Sequence, residues 1–231
     1  MREEKFKIDT IPAVLYGEPS DRLYLFIHGK SGCKEEGKAF AEIVCPKGWQ
    51  VLAIDLPKHG ERKESEPGFD PWHVVPELRS VLTHARQHWG HIALRATSIG
   101  AWFSMQAFAG EPLEKALFVS PVLDMEKLIR NMMLGAGVDE ARLQTEQEIA
   151  TDFGETLSWR YLRYAQAHPV TTWNTTTAIL YPSKDNLTDR ATVDGFVHRF
   201  GCKLTVMENG VHWFHTSEQL AVLRNWEGTH T

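Results

Sequence analysis

The chain reads as an α/β protein: a mostly parallel, doubly wound sheet with helices on both faces and a small helical lid inserted into it. Three observations predict this. Short apolar runs alternate with longer helical patterns through the first half of the chain, the rhythm of a parallel sheet joined by crossover helices. One junction, ATSIGAW from Ala96 to Trp102, turns from strand to helix around a serine flanked by small residues. The alternation then stops at Met125 and resumes only at Ala178, as it does when an insertion interrupts a regular core.

Taken in order, Phe6 to Leu15 and Leu23 to Ile27 read as strands, with Gly17-Glu18-Pro19-Ser20 turning between them. Glu35 to Val44 follows as a helix, and Val51 to Ile54 is a strand of the buried type. Pro71 to Trp89 is a long helix in which Val74, Val75, Leu78, Val81, Leu82, Ala85 and Trp89 form one apolar stripe. His91 to Leu94 feeds the serine turn, whose helix ends near Gly110-Glu111-Pro112. Ala116 to Val119 is a further strand, closed by Ser120-Pro121.

Between Met125 and about Trp173 only helix-like patterns occur, notably Met125 to Leu134 and Glu155 to His168. That length exceeds a plain connection. Residues 125–173 are therefore expected to form a helical lid between core segments 1–124 and 174–231. Met132, Met133 and Leu134 are expected to turn toward the pocket, because three consecutive apolar residues are a liability on a free surface. The regular pattern returns with strands at Ala178 to Tyr181 and Leu204 to Met207, and helices at Asp189 to Phe200 and Ser217 to Trp226.

Composition limits the function classes. The 231 residues suit one domain with a small insertion, and 42% apolar with 24% charged residues is ordinary for a globular core. A net charge of −5 without a basic cluster argues against nucleic acid and anionic membranes as partners. The first ten residues, MREEKFKIDT, are charged throughout and do not read as a secretory signal. No apolar run approaches the ~18 residues of a membrane span. Three scattered cysteines, Cys33, Cys45 and Cys202, fit a reducing compartment. A cytoplasmic protein is expected.

The chemistry gathers at four places. Ser98 sits where a strand turns sharply into a helix, between Ala96 and Gly100, the setting of a nucleophile elbow. His28-Gly29-Lys30-Ser31-Gly32 follows the strand ending at Ile27, and glycines there allow backbone N–H groups to face a ligand. Pro182-Ser183-Lys184-Asp185 follows the strand at Ala178 to Tyr181, and Glu208-Asn209-Gly210-Val211-His212-Trp213 follows Leu204 to Met207. The order is Ser98, Asp185, His212, each just past a strand's carboxyl end, where ligands gather in open α/β sheets.

Together these motifs resemble the α/β-hydrolase family, from about Leu23 to about Trp226. The departures are Ala96, in place of the first elbow glycine, and Thr97, where many members carry another residue; neither removes a catalytic group. The resemblance implies Ser98 as nucleophile, His212 as its base and Asp185 as the residue orienting the histidine. It implies the backbone N–H groups of Lys30 and Ile99 as oxyanion donors. It gives His28 a structural part in the oxyanion loop and leaves Asp55, in VLAIDLPKHG, as a loop organiser.

Each assignment has a plainer rival. Ser98 suits a helix N-cap, as does Asp124, the other position where the family lodges its acid. His215 stands three residues after His212 and suits a cap or the surface. Lys30 is a solvated lysine unless its charge is used. Arg95, inside a buried strand, requires a carboxylate partner. His84, His88 and His91 invite a metal reading, but no cysteine or carboxylate set accompanies them, so they read as a solvated face. Trp102, Met105, Met133 and Trp213 line an acyl pocket or fill the core. The expectation is a serine hydrolase acting on a small carboxylic ester or related small-molecule acyl substrate through an acyl-enzyme, without cofactor or metal. A peptidase or amidase with the same triad, and a silent ligand-binding relative, remain the alternatives.

Overall fold

Apolar residues at consecutive positions of a strand require cover on both of its faces, and the central strands of this chain have them along most of their length. The computed structural model describes residues 1–64 and 67–231. In the first half lie β1 (Glu3–Ile8), β2 (Ile11–Tyr16), β3 (Arg22–Ile27), α1 (Gly37–Val44) and β4 (Gln50–Ile54). They are followed by α2 (Pro71–His88), β5 (His91–Thr97), α3 (Ile99–Phe108) and β6 (Ala116–Val119). The segment after β6 holds α4 (Met125–Gly135), α5 (Glu140–Glu146), β7 (Glu148–Ala150), β8 (Thr156–Ser158) and α6 (Trp159–Ala167). The chain closes with β9 (Thr177–Lys184), α7 (Arg190–Phe200), β10 (Lys203–Val211) and α8 (Ser217–His230).

The main sheet has eight strands in the order β1-β2-β4-β3-β5-β6-β9-β10. The pairs β1–β2 and β2–β4 are antiparallel, and every other neighbouring pair is parallel. Alternate residues point to opposite faces. Leu25, Ile27, Leu52, Ile54, Leu94 and Phe118 join the apolar side chains of α2 and α3 in one core. Tyr24, Phe26, Val51, Ala53, Leu117 and Leu180 join those of α1 and α8 in the other. Taking one such large side chain fully out of water is worth about 1.5–3 kcal/mol.

This topology positions the site. The chain runs from β3 out to β4 and returns to β5 on the opposite side of β3, so the strand order reverses between β3 and β5. Loops leaving the carboxyl ends of such a pair diverge and open a crevice. The loop beginning at His28 and the turn at Ser98 leave those two ends.

Some sequence expectations change. The single strand expected over Phe6 to Leu15 is a hairpin, because Asp9 takes a left-handed φ of 53° and lets the chain reverse. The segment expected to be helical only contains an antiparallel pair, β7 with β8. Strands of three residues are too short to show alternation, and part of the helix expected from Glu155 is strand. The last helix runs on to His230.

Candidate active site

β5 ends at Thr97 and α3 begins at Ile99, so Ser98 makes the whole turn between them. It does so at φ 51° and ψ −124°. A non-glycine residue in such a region costs on the order of 1–3 kcal/mol and persists only where its surroundings impose it. Here the Ser98 N–H donates to the Val119 carbonyl at 3.0 Å, and the Ser98 carbonyl accepts from the N–H groups of Val122 and Ala101, both at 3.1 Å. Gly100 is needed for close approach: a Cβ there would lie 2.4 Å from the His28 carbonyl oxygen. Ala96, fully buried, fills the other tight position.

Ser98 Oγ lies 2.8 Å from His212 Nε2, and His212 Nδ1 lies 2.8 Å from Asp185 Oδ2. His212 follows β10, whose pairing with β9 shifts between Met207 and Val211, with Asn209 at φ 60°. An irregularity of this kind re-aims the side chains beyond it. Asp185 follows β9 and its side chain is wholly buried. Its second oxygen accepts from the N–H groups of Leu187 and Thr188 at 2.8 and 3.0 Å, which leaves Oδ2 for the ring. A carboxylate only accepts, so Nδ1 carries the ring proton and Nε2 offers its lone pair to Ser98.

The rival residues are occupied elsewhere. The Asp124 carboxylate caps α4, accepting from the Lys127 N–H at 2.9 Å. His215 bonds through Nδ1 to the Trp213 carbonyl at 2.9 Å. His88 Nδ1 donates to the His84 carbonyl at 2.8 Å, and His91 pairs with Glu114, so the three histidines share no ligand. Arg95 finds its partner in Glu227 of α8, with Nε and Nη2 both 2.9 Å from one carboxylate oxygen. Burial raises the Glu227 pKa, against the pull of Arg95.

The loop after β3 is fixed from two sides. His28, fully buried, donates from Nδ1 to the Gly29 carbonyl at 2.7 Å and accepts the Leu56 N–H at Nε2, 3.1 Å away. The Gly29 carbonyl also accepts the Gly32 N–H at 3.1 Å. In a trans peptide the N–H points opposite the carbonyl, so these two bonds orient the Lys30 N–H. Burial holds the His28 ring neutral, with its pKa lowered to about 4 against the help of the Gly29 bond.

Asp55 organises the next loop. It accepts from the Lys34 N–H at 2.9 Å, the Lys34 ammonium at 2.7 Å and the Glu61 N–H at 3.0 Å. Burial opposes its charge, but the Lys34 ammonium and these N–H groups outweigh burial and lower its pKa.

Ser98, Ile99 and Lys30 line a cavity of about 920 Å³. His59 and Phe69 border it from the core, and Met125, Leu128, Ile129, Met132, Leu157 and Tyr161 from the segment after β6. The Lys30 ammonium pairs with Glu155 of that segment.

The wall residues expected from sequence fare unevenly. Met132 borders the cavity, Met133 is buried in the core and Leu134 is 82% exposed. Successive helical residues turn about 100°, so three in a row cannot share a face. Trp213 is 74% exposed and stacks on His215, with ring centres 5.0 Å apart. Trp102 is buried among Phe103, Tyr161 and Tyr164 and borders a separate cavity of about 460 Å³, while Met105 lies in the core. Sequence reading missed His59 and Lys34. Their only signal was position, His59 in the loop after Val51 to Ile54 and Lys34 in the loop after Leu23 to Ile27.

No protein-family model matches the chain, and no curated protein matches it in sequence. Solved structures match it in fold. Est1E from Butyrivibrio proteoclasticus with bound ferulic acid superposes with a TM-score of 0.79 at 20% identity, over 98% of this chain and 97% of that one. The α/β hydrolase domain-containing protein 10 from mouse gives 0.75 at 12% identity, over 98% and 96%. The Pyrococcus furiosus esterase PF2001 gives 0.71 at 13%, over 99% and 88%. The chain has the α/β-hydrolase fold.

Proposed function

We propose that the chain is a serine hydrolase that cleaves a carboxylic ester through an acyl-enzyme. The observation that carries this is the continuous hydrogen-bonded series from Ser98 through His212 to a buried Asp185, at the tip of a strained turn. A serine hydroxyl is a weak nucleophile until a base removes its proton during attack. Ser98 Oγ attacks the ester carbonyl while His212 Nε2 takes the proton. His212 then returns it to the departing alcohol, and water repeats the sequence to release the acid. Asp185 holds the ring and stabilises its cation without itself taking the proton.

The developing oxyanion falls to the N–H groups of Lys30 and Ile99, both in the cavity wall beside Ser98. The segment 125–173 serves as a cap. Its apolar side chains make a chamber suited to an uncharged acyl or aryl group, and the size of that chamber favours a substrate larger than a short-chain ester. The esterases among the similar structures agree with an ester rather than an amide.

A fluorophosphonate probe should label the wild-type protein and not Ser98→Ala. That substitution should lower turnover of an activated ester by roughly six orders of magnitude, with little change in thermal midpoint. Residual activity within tenfold of wild type would remove Ser98 from the mechanism. Acyl esters of graded length, run beside peptide amides, separate the esterase from the amidase. A wild-type protein that neither labels nor turns over any of them is a binding protein.

A further inference from the structure

A second buried histidine borders the cavity and takes no part in the proton relay. His59 lies in the loop after β4. Its Nδ1 donates to the Pro57 carbonyl at 2.8 Å, which leaves Nε2 as an acceptor, and Nε2 takes the Ser31 N–H at 2.8 Å. Ser31 stands at φ 65°, a left-handed conformation that a serine keeps only when held. It directly follows Lys30. The peptide on the near side of Lys30 is held through the Gly29 carbonyl, and His59 holds the peptide on the far side.

We infer that neutral His59 is a positioning residue, one that fixes the Lys30 backbone in the orientation that presents its N–H to the oxyanion. The inference rests on the serine-hydrolase reading of the same site. A histidine suits this task better than a fixed acceptor only in one respect: it can be switched off. Protonated at Nε2, the ring becomes a donor facing a donor, and the Ser31 bond is lost.

The groups around the ring bear on that switch. The His28 ring is 5.1 Å away and the Phe69 ring 4.4 Å. Burial and the Lys30 ammonium favour the neutral form, while the Pro57 carbonyl and the Asp55 carboxylate favour the cation. The balance lowers the His59 pKa from its ordinary value. Lys58 and Lys63 also stand in the cavity wall.

The test compares His59→Phe, which keeps a ring and removes the acceptor, with His59→Gln, whose amide oxygen reaches the Nε2 position without titrating. With a p-nitrophenyl acyl ester, His59→Phe should lower kcat by roughly 10- to 100-fold, in the range of a weakened oxyanion donor, and move KM by less than about threefold. Affinity for an alkyl trifluoromethyl ketone, which places an oxyanion in the hole, should fall by the same factor. His59→Gln should recover at least part of both losses.

Should His59→Phe not fold, the acid limb of kcat decides. Wild type should fall more steeply than one proton allows, because His212 and His59 must both be neutral, and His59→Gln should fall with one. A His59→Phe enzyme with kcat within twofold of wild type, a kcat loss without loss of ketone affinity, or identical acid limbs in wild type and His59→Gln would each overturn the inference. Those outcomes leave the nucleophile untouched. Full activity in Ser98→Ala would instead remove the reading on which the inference rests.

Discussion

The ends of the central strands and the segment between β6 and β9 are held together in opposite ways. At the strand ends the polar groups are buried and committed: both Asp185 oxygens are used, and Asp55 accepts three hydrogen bonds. The segment between β6 and β9 carries its charges outside. Arg130 pairs with Glu126 and Glu140, and Arg142 with Glu146, all of them substantially exposed. Solvent screens such exposed pairs, so they hold the segment only weakly. Its buried attachment to the core is apolar, through Leu128, Ile129, Leu143 and Leu162. The difference teaches where change is tolerated. The hydrogen-bonded series is built on the sheet, and the proposed substrate walls are built largely on the segment whose surface charges are exposed.

The largest effect expected from the rigid side is that of Asp185→Asn. The amide oxygen can still accept from the Leu187 and Thr188 N–H groups, so the loop keeps its shape. The amide nitrogen then faces His212 Nδ1 as a donor, which forces the ring proton onto Nε2 and removes the acceptor that Ser98 needs. Turnover should drop by roughly four orders of magnitude while the thermal midpoint moves by only a few degrees. Comparison of ester turnover with a melting curve checks it. A variant with nearly intact turnover would mean that a different acid orients His212, and Asp124→Asn would be the next variant to make.

A smaller effect separates the two regions by pH. His28 titrates at about 4 in the folded chain, against 6.5 for an ordinary histidine, because burial opposes its charge. The unfolded chain therefore binds the proton first, and stability falls as pH drops from 6.5 toward 4. At 1.36 kcal/mol per unit the loss is about 3 kcal/mol. His59, its pKa also lowered by burial, adds in the same direction. The segment 125–173 has one histidine, His168, and it is exposed. Urea midpoints should therefore decline across this interval, and hydrogen exchange should show the loops after β3 and β4 opening before α4 and α6. Midpoints flat from pH 6.5 to 4 would show that the buried histidines carry no such cost.

Legibility in the sequence follows the same division. The strand ends were readable because the parallel strands leave short apolar runs, and because Ser98, Asp185 and His212 each stand four or five residues beyond one. Arg95 was readable as a buried charge needing a partner, but Glu227 was not, since 132 residues separate them and only the sheet brings α8 across β5. The β7–β8 pair left no trace, because three residues cannot establish a period. Met133 and Leu134 were read from composition alone, and the angular advance of a helix decided which of three neighbours faced the cavity. His59 was hidden for another reason. Its role depends on which ring nitrogen is left free, and that is set by the Pro57 carbonyl two residues away.

The smallest expected effect tests whether the two regions are mechanically separate at all. The Lys30 ammonium reaches across the cavity to Glu155, joining the loop that holds a proposed oxyanion donor to the turn between β7 and β8. Both side chains are more than a third exposed, so the pair should contribute less than about 1 kcal/mol. Glu155→Gln should lower the thermal midpoint by no more than about 3 °C, and the difference should shrink with added salt as the charges are screened. Its effect on kcat should be within about twofold. The Lys30 backbone is held by bonds at Gly29 and Ser31 and not by its ammonium. KM is the parameter free to move, because Glu155 and the residues after it form part of the wall. A kcat loss of tenfold or more, undiminished by salt, would break the comparison: the loop after β3 would then owe its alignment to the segment after β6, and chemistry and substrate choice would share one mechanical unit.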